Sequence, residues 1–299
     1  MRRASLIVTG LLLVVVPIVT GPGANAGFPG ANGAIAFGRL TNGQNDIWVL
    51  PPAATTPHRL TNTPGLDESM PDYRADGRRI AFVRCGQSEF ANCEIWTMRA
   101  DGSDPTRLTF SPTVQETWPT WSPDGSKIAF TSDAADLFQD VWVMDADGSD
   151  QTRLTKTVGF DAFPEWSPDG ERIAFTSDRA ALDDIWTMRA NGTDLMRLTI
   201  GMRIDERPDW SPDGSTIAFS RNGNIWSMNA DGSNETQLTS VAAGEFGPAF
   251  APNGHRIAFD RRSADGRFGV WTMRPDGSHP VRRTFGVLDF FPDWRPVQP

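Results

Sequence analysis

Three residues ahead of each of six prolines stands a carboxylate: Glu68, Glu116, Asp161, Asp205, Glu245 and Asp289. A carboxylate at one repeated position can accept hydrogen bonds from backbone at a loop-to-strand junction. It can pair with an arginine, or join its equivalents in binding a cation or a basic group. Other chemistries find few residues. His58, His255 and His279 are the only histidines, and they fall at turns or ahead of an outer strand, too scattered for a metal centre. No GxSxG motif occurs, so a serine-hydrolase elbow is not expected. Tyr73, the one tyrosine, stands where other copies carry a core tryptophan, which argues against a tyrosine nucleophile. Catalysis would fall to the carboxylates, as in a metal-assisted lactonase or lyase.

The carboxylates recur because the chain recurs. Ile-Ala-Phe appears at Ile35, Ile80, Ile128, Ile173, Ile217 and Ile257, spaced by 45, 48, 45, 44 and 40 residues. Each copy continues to a tryptophan after Ile or Val: Trp48, Trp96, Trp142, Trp186, Trp226 and Trp271. An Asp-Gly or Asn-Gly pair follows in five copies, then Arg-Leu-Thr or a variant, then Pro-x-Trp-Ser-Pro-Asp-Gly in its fullest form. These are four short runs rich in β-branched and aromatic residues, bounded by turn chemistry. We name them strands A (PxWS), B (IAF), C (IWxM) and D (RLT). In the A–B turn, proline presets φ and glycine accepts the left-handed position. Asp-Gly makes the C–D connection a second tight hairpin. Periods of 40–50 residues with four strands each predict an all-β, six-bladed β-propeller with four-stranded antiparallel blades. The first repeat begins at strand B and the last ends on strand A, Phe291 to Trp294, so the C-terminal strand should pair with the N-terminal strands and close the ring.

The string WSPDGxxIAF, followed by IWxMxxDG and RLT, resembles the TolB-type six-bladed propeller, also called the WD40-like PD40 repeat. The likeness runs over residues 28–299 in six copies. It is to that propeller alone, without the separate N-terminal α/β domain of TolB. The resemblance implies a non-catalytic, periplasmic platform for a protein or peptide partner. A metal-dependent enzyme and a carbohydrate-binding propeller are the alternatives.

The tight turns share one face of the ring, and the longer B–C and D–A loops share the other, where binding residues usually lie. If a three-residue Pro-Asp-Gly loop sets Ser122 opposite Ser126, Glu116 faces Ser132 across the A–B ladder. The same register sets Glu68 against Arg84, Asp205 against Arg221, Glu245 against Arg261 and, by equivalence, Asp289 against Arg39. Asp161 falls opposite Ser177. Glu116 and Asp161 are thus expected to lack a counter-charge, on neighbouring blades whose B–C loops add Asp133, Asp136, Asp140, Asp178, Asp183 and Asp184. One reading makes all six acids structural. The sharper one makes Glu116, Asp161, Asp133 and Asp178 an acidic patch for a basic partner segment, or for Ca²⁺ held by Glu116 and Asp161. No cofactor is otherwise required. Ten of the 11 tryptophans sit at repeat-equivalent core positions, which leaves Trp118 as the one candidate binding aromatic.

Arg2 and Arg3, an apolar run from Leu6 to Thr20 and Ala24-Asn25-Ala26 read as a secretory signal peptide over residues 1–26, with the propeller over 27–299. The run is too short and broken for a comfortable membrane span. The net charge of −9 argues against nucleic acid and anionic lipid. Cys85 and Cys93 flank one B–C loop, and in an oxidising compartment that spacing across a hairpin predicts a disulfide.

Overall fold

The computed structural model describes residues 31–86, 92–111, 113–135, 138–242 and 244–297, all in strands, turns and loops. The signal peptide expected at 1–26 lies outside them. Six antiparallel sheets of four strands form, each in the order A-B-C-D. In blade 1 the A strand is Asp289–Val297, paired with the B strand Ala31–Thr41. That pairing joins the two ends of the described chain and closes the propeller, as the repeat order requires. The remaining A strands, Leu66–Tyr73, Glu116–Trp121, Asp161–Trp166, Asp205–Trp210 and Glu245–Phe250, open blades 2 to 6. Successive A strands contact one another around the ring, so they are innermost and line a central channel.

A single sheet has two faces to bury, and neighbours supply the cover. Ala129 and Val141 of blade 3 pack against Ile173, Phe175 and Met188 of blade 4. Trp121 packs against Ala81 and Val83 of the preceding blade. Alanine at the centre of every IAF triplet keeps the sheets close, while the flanking Ile and Phe fill the gap.

The Arg-Leu-Thr motif also has a physical reason. Its threonine hydroxyl accepts the N–H that opens strand C, from Ile47, Ile95, Val141, Ile185, Ile225 and Val270, at 2.9–3.0 Å. Its arginine clamps the acid at the head of strand C in four blades: Arg59 on Asp46, Arg107 on Glu94, Arg153 on Asp140 and Arg197 on Asp184. Asp140 and Asp184, counted toward an acidic patch from the sequence, are therefore structural anchors.

The A–B register is as expected at the acids, but by another route. Trp121 pairs with Ile128, one step from the hairpin register assumed above. A β-bulge then inserts one residue between Thr117 and Thr120 and brings Glu116 opposite Ser132. The same shift occurs in strand A of the other five blades. Its first residue is left-handed every time: Met70, Trp118, Phe163, Arg207, Gly247 and Phe291, with φ of +53° to +56°. For a residue with a Cβ this costs about 1–2 kcal/mol. The second bulge residue is always the buried proline, which has no N–H to leave unpaired.

Cys85 and Cys93 face each other across the ladder of blade 2 and are disulfide-bonded, with Cα atoms 4.2 Å apart. Replacing both with serine should lower unfolding free energy by about 2–3 kcal/mol in urea titrations, and reductant should have no further effect on that variant.

Candidate functional site

Four of the six strand-A acids meet the arginines opposite them. Arg39 binds Asp289 through two hydrogen bonds of 2.6 and 2.9 Å, and Arg221 binds Asp205 through two of 2.6 and 2.7 Å. Arg84 and Arg261 instead bring two nitrogens to one oxygen each, Glu68 Oε1 and Glu245 Oε1, and leave the second oxygen of each carboxylate buried without a hydrogen-bond partner. Each guanidinium also lies over the strand-C tryptophan of its own blade, at 4.7 Å for Trp48, 4.0 Å for Trp96, 4.8 Å for Trp226 and 4.2 Å for Trp271. Carboxylate, guanidinium and indole form one unit, in which the arginine gains both a counter-charge and a π face.

Asp161 departs from expectation. Arg179, two residues beyond Ser177, reaches back so that its Nη2 donates to both Asp161 oxygens at 2.8 Å and its guanidinium covers Trp186 at 5.0 Å. A longer loop thus rebuilds the same unit, and Asp161 is not an uncompensated carboxylate. The ladder rule fails here because it counts only directly opposed residues. Asp133 and Asp178 each accept one backbone N–H, from Gln115 at 2.8 Å and Phe160 at 2.7 Å. They tie D–A loops to strand B. Asp136 lies outside the described residues. Glu116 alone of the six makes no arginine ion pair among the described residues, and burial, then Glu94 and Asp133, push its carboxyl up to about 7 against the Thr109 and Ser111 hydroxyls. Among the described residues, no group of three or more His, Cys, Asp or Glu side chains is placed to hold a metal ion.

The residues that face open space lie elsewhere, along the channel. The left-handed bulge turns the residue before each proline toward the axis. On the loop-face side this brings Trp118, Phe163 and Phe291 together with Met70, Arg207 and Gly247 around a cavity of about 110 Å³. Trp118 meets Phe163 and Phe291 edge-on, both at 4.6 Å between centroids. The Arg207 guanidinium sits 4.9, 5.3 and 5.1 Å from the centroids of Trp118, Phe163 and Phe291. Trp118 therefore does stand beside the channel, but as one wall of a box around an arginine rather than as an open stacking platform.

Beneath the box, the residues after the prolines carry four half-buried carboxyls: Asp72, Glu165, Asp209 and Asp293. Three of them staple blades: Asp72 accepts from Trp121 N at 2.8 Å, Asp209 from Phe250 N at 2.6 Å and Asp293 from Tyr73 N at 2.6 Å. Glu165 accepts from the Thr120 hydroxyl of blade 3. Burial, then mutual repulsion across the channel, raises Asp72 and Glu165 well above the carboxylate range. Burial likewise raises Asp209, and takes Asp293 up to about 7. Asp260, on strand B of blade 6, is also raised to about 7 by burial, while it accepts the Phe291 N–H. Neither the box nor this ring follows from short-range sequence pattern. The signal was the pair of residues flanking each strand-A proline, which vary as a set from copy to copy.

A carboxyl with a raised pKa holds its proton in the fold, so its contribution is complete below the ordinary carboxylate range and is lost as pH rises through about 7. Glu165→Gln with Asp293→Asn keeps the acceptors and removes the charges. The melting temperature of this variant should exceed that of the wild type by a margin that widens from about pH 5 to pH 8. In contrast, Arg221→Met strands buried Asp205 and should destabilise by about 3–5 kcal/mol at neutral pH in chemical denaturation.

Comparison with known proteins agrees with this architecture. No curated protein matches the chain. TolB from Acinetobacter baumannii superposes with a TM-score of 0.77 at 22% identity, over 88% of this chain and 67% of that one. Putative TolB from Agrobacterium tumefaciens gives 0.68 at 22%, over 89% and 91%. Hydrazine synthase of Kuenenia stuttgartiensis gives 0.73 at 14%, over 92% of this chain and 48% of that one. The fold therefore occurs both in TolB and in an enzyme, and shape alone does not separate binding from catalysis. The family model of the TolB beta propeller domain matches residues 115–297, and on that match the chain belongs to the TolB β-propeller family.

Proposed function

We propose that this chain is an exported, non-catalytic platform that holds a protein or peptide partner on its loop face, over the mouth of the channel. The observation that carries the reading is apolar surface left uncovered there. Four of the D–A connections expose large apolar side chains: Phe110; Val158; Ile200, Met202 and Ile204; and Phe285 and Val287. Met202 is 93% exposed and Val158 85%. Each of these loops runs into an innermost strand, so they lead toward the box of Trp118, Phe163 and Phe291. Large apolar side chains left exposed around a recess are what a protein partner covers. Family membership favours the same role. Export rests on the leader expected from the sequence at 1–26 and on the disulfide, which persists in an oxidising compartment.

The strand-A acids enter this reading as the frame of the face, with Glu116 as its one carboxylate without an arginine. The expected basic partner loses its main support once Arg179 neutralises Asp161. Likewise, the arginine inside the aromatic box leaves no open platform for a sugar ring.

The test is capture from envelope extract on immobilised wild type, on Val158→Ser/Ile200→Ser/Met202→Ser and on a turn-face control, Gln151→Ser. A partner retained by wild type and control but lost from the triple variant is the expected result. Retention by all three would move the partner off this face. Turnover of an added lactone or release of a glycan, with no protein bound, would favour the enzyme or carbohydrate reading.

A further inference from the structure

Arg207 is the exception among the interior arginines. Arg39, Arg84, Arg179, Arg221 and Arg261 each hold a carboxylate and stack on a tryptophan. Arg207 has the aromatic faces without the carboxylate: it makes no ion pair among the described residues, and its Nε is buried with no hydrogen-bond partner. Burial presses its guanidinium below its ordinary pKa, with Asp260 and Glu206 opposing from a distance. Asp260 turns both carboxyl oxygens to Phe291 N, at 3.0 and 3.1 Å. A guanidinium stacked on rings still has its in-plane N–H edge free, and that edge fits a carboxylate. Gly247, the one glycine at its position in the ring, leaves bare backbone beside that edge: a Cβ there would stand 3.8 Å from Nη1.

The surrounding charges decide the sign of the ligand. Five of the six repeated strand-A acids already hold an arginine. Burial, then crowding, raises the channel carboxyls below well above the carboxylate range. Among the six left-handed residues that form the box, Arg207 alone carries a charge. The five interior arginines Arg39, Arg84, Arg179, Arg221 and Arg261 show what completes such a unit.

We propose that Arg207 in its box of Trp118, Phe163 and Phe291 is a carboxylate receptor, which seats an acidic side chain or the C-terminus of a peptide docked on the loop face. The proposal rests on the platform reading above and names the chemistry of its central contact. The aromatic walls orient the guanidinium and exclude water, which strengthens the charge-assisted hydrogen bonds. The bulge prolines hold the box rigid, so little order is lost on binding.

The test uses the full chain and paired probes, N-acetyl-glutamate amide and N-acetyl-glutamine amide, with the Trp118 indole and Arg207 Nε–H resonances followed by NMR. The acid should give a saturable shift and the neutral amide should not. Arg207→Met, which fills the box without charge, should weaken the acid by about tenfold or more, and Arg207→Lys should keep part of the affinity. Equal responses to the two probes, or an unchanged response in Arg207→Met, overturns the proposal. So does a saturable shift with butylammonium alone, which would make the box a cation site that Arg207 vacates. A partner captured equally by wild type and Arg207→Met would sink the carboxylate contact and leave the platform standing. Loss of capture only in the loop triple variant would do the same.

Discussion

The structure depends on one backbone event, repeated in every blade: a left-handed residue followed by a buried proline in the innermost strand. It costs about 1–2 kcal/mol at each residue with a Cβ, and it persists because neighbouring blades bind the backbone it frees. Thr131, Thr176, Ser220 and Asp260 accept the N–H of the left-handed residue on the next blade. Asp72, Asp209 and Asp293 accept an N–H just beyond the proline. The bulge thereby does two things at once. It locks blade to blade, and it turns one side chain per blade into the channel, where copy-to-copy variation acquires chemical meaning.

Charge is distributed accordingly. Within the blades, nearly every interior carboxylate has a guanidinium, and each guanidinium of the A–B ladder has an indole. Such units are rigid and electrically quiet. The channel keeps what the blades exclude: a cation without a carboxylate at the mouth, and carboxyls without cations below. A propeller built this way presents a stiff rim and a polar axis, with partner-dependent chemistry confined to the rim and the loops above it.

Much of this was legible in the sequence. The Ile-Ala-Phe spacing, the Asp-Gly and Ser-Pro-Asp-Gly turns and the offset of the first and last strands determine six closed blades. Cys85 and Cys93 were readable as a disulfide because their ladder position followed from the hairpin. The acid–arginine pairs were readable too, though only because the assumed hairpin register and the unseen bulge differ by one residue in compensating directions. Three features escaped. Arg179 reaches Asp161 along the chain rather than across the ladder. The left-handed bulge has almost no local signature, since the residue before a proline normally avoids that region and only Gly247 advertises it. The box around Arg207 joins residues 118, 163, 207 and 291, and no short-range rule connects them until the ring is closed.

The most direct measurement is site-specific photo-crosslinking in the native host, from a photoreactive residue at Met202 on the loop face and from one at Gln151 on the opposite face. The account predicts a discrete protein adduct from Met202 and none from Gln151. An adduct from Gln151 alone, or from neither position, would contradict it.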